Sequence, residues 1–346
     1  MQNLNALKEL LSSPKKIVIT THHKPDADAL GSSLALWGYL RKRGHDAKVI
    51  TPTDYPSFLN WMNGNDEVII FNQGNEALAQ KLVNEAEVIF CLDFNALGRI
   101  NELGEIIRTS KAKKVLVDHH LEPEGFADFS FSDVTAAATA VLIYKLILGL
   151  GDREYFDTCI GEALYAGILT DTGGFRHPTT NKEVHLIIAE LINLAVDISK
   201  IHRLIYDNNS ESRLRFLGYA LLNKLVILHE FHTAYIAISA EELKRFDSQT
   251  GDTEGLVNFA LSVEGIVFAA VIIERSDAVK LSFRSKGDFS VSNFARMHFE
   301  GGGHKNASGG KSDVTLEKTV EKFVSTLSLY KEDLDENHKI EKKILC

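Results

Sequence analysis

A chain of 346 residues exceeds the usual span of one hydrophobic core, and with 45% hydrophobic and 25% charged residues it has the composition of an ordinary folded protein of two domains. The net charge of −9 excludes the broad basic surface that displaces counterions from long duplex DNA, while leaving open a short anionic substrate reached through local cations or metal ions. No apolar run approaches the roughly 20 residues of a bilayer span, and residues 1–15 lack the basic-then-apolar order of a signal peptide, so the expected place is the cytoplasm, without membrane contact.

In chain order, the first half alternates short β-branched runs with helical patterns. Lys16–Thr20, Ala47–Thr51, Glu67–Phe71, Val88–Leu92 and Lys114–Val117 read as strands. Asp28–Arg43, Asn75–Asn84 and Gly98–Thr109 read as the helices between them. That rhythm predicts a parallel, doubly wound α/β sheet. A helical region follows: Val134–Leu148 with Asp133 as its N-cap, then Phe156–Leu169, Asn181–Val196, Ile198–Asp207 and Ser210–Asn223.

Strands return at Leu225–His229, His232–Ser239, Ile266–Glu274 and Val279–Phe283, with helices at Ser292–Phe299 and Leu316–Leu327, giving a smaller α/β domain. The charged tail Lys331–Lys343 is expected to be partly mobile. The domain reading is 1–195 for the first domain, 196–223 for a helical linker, 224–335 for the second domain and 336–346 for the tail. Cys91, Cys159 and Cys346 are too scattered for a disulfide framework.

Residues 22–31 read His-His-Lys-Pro-Asp-Ala-Asp-Ala-Leu-Gly directly after the first strand. His22, Asp26 and Asp28 thus fall at a strand's carboxyl end, where open α/β sheets place their ligands. The plainer reading has Asp28 as a helix N-cap and Asp26 as a turn residue beside Pro25. Asp93 closes the fourth strand and Asp118-His119-His120 the fifth; a lone Asp there is commonly a turn residue, but three successive strand ends are harder to assign to coincidence. Asp171 stands in Leu-Thr-Asp-Thr-Gly-Gly-Phe, where a helix breaks into a turn. Together these positions offer imidazoles and carboxylates but no thiolate, a set that suits two Mn²⁺ or Mg²⁺ ions, with the imidazoles favouring Mn²⁺. Two such ions hold both the attacking and the leaving oxygen of a phosphoryl group.

In the second half, Gly301-Gly302-Gly303-His304-Lys305 is either a flexible loop or a backbone cradle for an anion. Arg284, after the strand Val279–Phe283, offers a planar fork to a phosphate, or a surface salt bridge.

Over nearly its whole length the chain resembles the DHH phosphoesterases with a C-terminal DHHA1 domain, in particular the oligoribonuclease and pAp-phosphatase group. His22-x-x-x-Asp26-x-Asp28, Asp93, Asp118-His119-His120 and Asp171 match four family motifs in order, and the glycine run ending at His304 is similar to the DHHA1 signature. The resemblance implies that His22 and Asp26 bind one metal, that Asp28, His119 and Asp171 bind the other, and that Asp93 bridges them. Asp118 would then support the site and His120 would face the scissile phosphate. Arg284, Gly301, Gly302, Gly303 and His304 would hold the nucleotide end of the substrate, placing the active site in the cleft between the domains. The implied activity is two-metal hydrolysis of short single-stranded oligoribonucleotides, of pAp to AMP, or both, in a protein for which a homodimer is compatible. The alternatives are a cyclic- or linear-dinucleotide phosphodiesterase, an exopolyphosphatase or pyrophosphatase, and a catalytically silent nucleotide-binding module.

Overall fold

The structure is a computed structural model that describes residues 3–276 and 278–344. It divides into two compact units, Met1–Asn208 and Asn209–Cys346. Among the described residues no helix is long and apolar enough to cross a membrane. Cys91 is buried and Cys159 exposed, neither in a disulfide; Cys346 lies outside the described residues.

The first unit runs α1 (Leu4–Leu10), β1 (Lys16–Thr21), α2 (Ala27–Lys42), β2 (Asp46–Thr51), β3 (Ile69–Ile70), α3 (Glu76–Glu85), β4 (Val88–Leu92), α4 (Glu102–Thr109), β5 (Lys113–Asp118), β6 (Phe129–Ser132), α5 (Thr139–Leu150), α6 (Thr158–Asp171), α7 (Lys182–Asn193) and α8 (Ile198–Tyr206). Its sheet has the order β3-β2-β1-β4-β5-β6, with every pair parallel. The chain winds outward from β1 to β3, then returns to β4 beside β1 and winds the other way. The β1/β4 boundary is therefore the topological switch point, where a crevice opens at the strands' carboxyl ends.

Strand alternation supplies a core on each face. Ile17, Ile19, Val49, Phe90 and Val117 pack with α2, α5 and α6, while Val18, Ile50, Ile89, Cys91 and Leu116 pack with α3 and α4. On the first face α2 and α6 approach closely: a Cβ placed on Gly31 would lie 2.4 Å from the carbonyl oxygen of Ala163.

The second unit runs α9 (Glu211–Asn223), β7 (Leu225–Leu228), β8 (Thr233–Ile238), α10 (Ala240–Arg245), α11 (Leu256–Leu261), β9 (Phe268–Glu274), β10 (Val279–Ser285), α12 (Val291–His298), β11 (Gly302–His304), β12 (Ala307–Ser312), α13 (Leu316–Leu327) and α14 (Lys331–Ile344). Its sheet, β11-β12-β10-β9-β8-β7, is antiparallel except for β8 with β9. A phenylalanine cluster of residues 268, 283, 289, 294, 299 and 323 fills one face.

The structure departs from the sequence reading in several places. The run Glu67–Phe71 yields only the two-residue edge strand β3, because residues 65–67 close into a 3-10 turn behind Gly64 in the left-handed region. Val134–Leu148 starts as a helix only at Thr139: the Asp133 carboxylate accepts from Thr135 N and Oγ1 in a local turn and caps nothing. Strand β6, absent from the sequence reading, lines the β5 edge. The charged tail is the helix α14, and the glycine run enters the strand β11 of a hairpin instead of forming a loop.

The Gly31 contact makes a direct expectation. Gly31→Ala must push α2 off α6 or distort the Ala163 carbonyl, lowering stability by about 1–3 kcal/mol, read as a reduced urea midpoint in the full chain.

Candidate metal centre

At the switch point five strand and helix ends bring their polar residues together. His22 follows β1, Asp26 caps α2, Asp93 follows β4, Asp118-His119-His120 end β5, and Asp171 is the last residue of α6. Two sets of ligand atoms lie within 4.8 Å of one another, His22/Asp26/Asp93 and Asp28/His119/Asp171, and a third joins Asp93, Asp118 and His120.

Asp93 ties these sets together. Its Oδ2 lies 3.4 Å from His22 Nε2 and its Oδ1 lies 3.4 Å from His119 Nε2, so its two oxygens face two different imidazoles. The backbone at Asp93 is left-handed, φ 64°, a conformation that Asp tolerates better than most residues. A strand continuing in the ordinary β region would not turn there, and the side chain would not enter the crevice.

Both imidazoles are oriented through their other nitrogen. His22 Nδ1 is 2.9 Å from the carbonyl oxygen of His23, and His119 Nδ1 is 3.1 Å from that of Ala136. Donation from Nδ1 to a carbonyl selects the tautomer whose Nε2 lone pair faces the cluster, the usual support of a metal-bound histidine. Asp26 does two jobs. Oδ1 accepts from Asp28 N and Ala29 N, both at 3.0 Å, while Oδ2 lies 3.8 Å from His22 Nε2. The N-cap of α2 is therefore Asp26 and not Asp28, and capping through Oδ1 leaves Oδ2 turned to the cluster.

Asp28, 1% exposed, instead caps a different helix. Its Oδ2 accepts from Thr139 N at 2.6 Å and its Oδ1 from Ala140 N at 2.9 Å, so the open amides at the start of α5 hold the carboxylate in place. Thr139 also donates its hydroxyl to Asp93 Oδ1 at 2.8 Å. Gly167 leaves room for the arrangement, for a Cβ there would lie 2.8 Å from Asp28 Oδ1. Thr139 and Gly167 escaped the sequence reading; the only trace was the small-residue run Ala136-Ala137-Ala138-Thr139-Ala140 before an apolar helix.

Charge in the metal-free cluster is held by protons. For His22, burial alone would lower the pKa, but the hydrogen bond to Asp93 and the charges of Asp26 and Asp93 outweigh it and raise it to about 9. His119 is likewise raised against its burial, by the bond to Asp93 and the carboxylates of Asp171, Asp93 and Asp28. Burial would push Asp93 up, yet the bonds from His119 and His22 hold it well below the usual carboxylate range. Asp28 goes the other way, raised by burial and then by Asp93 and Asp171.

His120 differs from its neighbour. Its Nδ1 donates to Asp118 Oδ1 at 2.7 Å, leaving Nε2 for another partner. Asp118 is fully buried, and among the described residues its Oδ2 has no donor, an oxygen that a nearby cation would satisfy. Oxygen and imidazole donors without a thiolate, in sets that share one carboxylate, fit a pair of hard or borderline divalent ions.

In the second unit, Arg284 lies within β10, its Nη1 donating to the carbonyl of Phe283 at 2.9 Å. Arg284 and His304 are each in register with Ala307, one on either side of β12. Paired residues of neighbouring strands project to the same face, so Arg284 and His304 form one row about 10 Å long with only a methyl group between them. Gly301 and Gly303 pack against backbone, where a Cβ would meet Gly309 O at 2.0 Å and Ala307 O at 2.7 Å. These glycines are thus required by the hairpin itself, whether or not an anion approaches.

The DHH family N-terminal domain model matches residues 16–168, and the DHHA1 domain model matches 231–332. The bifunctional oligoribonuclease and PAP phosphatase NrnA of Thermus thermophilus is 30% identical over 298 residues, 85% of this chain and 83% of that protein. The protein of the same name from Bacillus subtilis is 28% identical over 294 residues, 85% of this chain and 88% of its own. The crystal structure of an exopolyphosphatase-related protein from Bacteroides fragilis superposes with a TM-score of 0.91 at 38% identity, covering 96% of this chain and 97% of that one.

Two predictions follow from the shared carboxylate and from the protons. Asp93→Asn should remove Mn²⁺ binding at both positions in calorimetric titration, while Thr139→Val should weaken it by about 10-fold by freeing Asp93 to rotate. Because His22 holds its proton up to about pH 9 without metal, metal must displace that proton at pH 7. Mn²⁺ affinity should therefore rise with pH between 6 and 9, and calorimetry in buffers of different ionisation enthalpy should record proton release.

Proposed function

This chain belongs to the DHH family of metal-dependent phosphoesterases and carries a DHHA1 domain, and from that premise we propose that it hydrolyses short oligoribonucleotides and dephosphorylates pAp to AMP. The observation that carries the two-metal part of the reading is Asp93, whose two oxygens face two imidazoles at equal distance. The substrate part draws on the NrnA relatives, whose likeness extends over both domains.

His22, Asp26 and Asp93 would hold one ion, and Asp28, His119 and Asp171 together with Asp93 the other, with Mn²⁺ as the preferred metal. When bound, two such ions polarise the phosphoryl group and acidify the attacking water. Everything else falls to the protein's side chains. His120, held by Asp118, presents Nε2 to the phosphate; there it stabilises the charge that builds on the phosphoryl oxygens and passes a proton to the departing oxygen. Asp118 fixes the orientation of the ring through its bond to Nδ1. Arg284 and His304, in their common row, grip the nucleotide end together with the backbone of Gly301–Gly303. A protein of net charge −9 suits short substrates, whose phosphates are few, better than long polymers.

The test is a side-by-side assay in Mn²⁺ of pAp, short RNA, a longer oligonucleotide, a cyclic dinucleotide and pyrophosphate. Short RNA and pAp should turn over fastest; fastest turnover of pyrophosphate or of the cyclic dinucleotide would overturn the substrate assignment. In the same assay His120→Ala should lower kcat by about 10²- to 10⁴-fold while leaving Mn²⁺ binding intact.

A further inference from the structure

Arg99 stands six residues beyond Asp93, in the 3-10 turn Leu97–Ile100 that follows β4. Its backbone is tied to the rim of the metal cluster: its carbonyl accepts from His23 N at 2.9 Å, and the carbonyl of His23 in turn holds His22 Nδ1 at 2.9 Å. The side chain is half-buried, and among the described residues it makes no hydrogen bond or ion pair. Its charge nevertheless acts on the His22 ring.

Several other cations of the same unit are engaged in ion pairs. Lys24 pairs with Asp54, Arg41 with Glu67, Arg43 with Asp152, and Arg108 with Glu124. A half-buried guanidinium left out of such pairing, at the edge of a cluster of carboxylates, calls for an explanation, since polar groups withdrawn from water normally find partners.

The charge of the cluster supplies one. Asp26, Asp28, Asp93, Asp118 and Asp171 converge there, and two divalent ions would leave one negative charge over if all five were ionised and the imidazoles neutral. A phosphate carrying one or two further negative charges needs a cation from the protein to approach. Arginine, permanently charged and able to offer two parallel donors, is the side chain best matched to phosphoryl oxygens.

We propose that Arg99 is a phosphate-binding residue of this site, its guanidinium taking a non-bridging oxygen of the phosphoryl group presented beside His22, Asp26 and Asp93. The proposal rests on reading the cluster as a two-metal phosphoesterase centre, and it is independent of which nucleotide carries the phosphate. A purely structural Arg99, needed to hold the turn against His23, would have a different signature. Its loss would loosen the His22 loop and weaken metal binding, whereas loss of a nearby positive charge alone leaves a cation's affinity equal or higher.

The test uses the full chain and its Arg99→Ala, Arg99→Gln and Arg99→Lys variants, with folding checked by circular dichroism. Inorganic phosphate is titrated into the Mn²⁺-loaded proteins, and Mn²⁺ into the metal-free ones. Phosphate affinity should fall by about 10- to 100-fold in the Ala and Gln variants and recover in part with Lys, while Mn²⁺ affinity stays level or tightens. Unchanged phosphate affinity, absence of phosphate binding to the wild type, or a parallel loss of Mn²⁺ affinity would overturn the assignment. If the wild type prefers another phosphoester yet phosphate binding still depends on Arg99, the substrate reading fails and this one stands.

Discussion

Five carboxylates and three imidazoles converge at the carboxyl ends of β1, β4 and β5, and most are removed from water. Like charges packed this closely cannot all ionise without compensation, and the structure distributes that compensation unevenly. Asp93 is held ionised by two imidazoles, whereas Asp28, for which burial and the charges of Asp93 and Asp171 outweigh that of His119, is pushed towards its neutral form even with the amides of α5 aimed at it. Without metal the cluster keeps its charge in check with protons on His22 and His119. Divalent cations replace those protons with fixed charge, so the same crowding that would destabilise an empty polar pocket becomes affinity for ions.

The helices on that face of the sheet are arranged to sustain this crowding. α5 begins where it does because its first amides meet Asp28, and its first residue, Thr139, also steadies Asp93. α6 delivers Asp171 from its last turn, and it lies close to α2 because Gly31 and Gly167 have no side chain to separate them. A methyl group at Gly167 would press on the Asp28 carboxylate itself, so the glycine serves packing and site geometry at once. Asp28 and Asp171 are carried on α2 and α6 themselves, which keeps these opposed carboxylates at fixed separation in the face of their repulsion.

The second unit follows a separate logic. Its sheet is mostly antiparallel, its core is dense in phenylalanine, and its hairpin of glycines lets two strands meet where side chains would collide. Register across β12 sets Arg284 and His304 in one row, although they are 20 residues apart in the chain.

Much of this was legible from residues alone. The parallel sheet could be read because its strands are short apolar runs separated by helical periodicity, a pattern that depends only on local alternation and burial. His22, Asp26, Asp93 and Asp118–His120 stood out because each directly follows such a run, and strand ends are where this architecture opens a crevice. What periodicity could not supply were relations between distant segments. That Asp28 caps α5 and Asp26 caps α2, that Thr139 supports Asp93, that Gly167 makes space for a carboxylate, and that Arg99 borders His22 all depend on which helix lies against which strand. The two-residue β3 and the helical tail likewise answer to edge pairing and packing, which a single segment does not encode. The sequence by itself determined the chemistry available and the order of elements; only the tertiary structure decided which oxygen faces which imidazole, because that is set by backbone turns and helix contacts between residues more than a hundred positions apart.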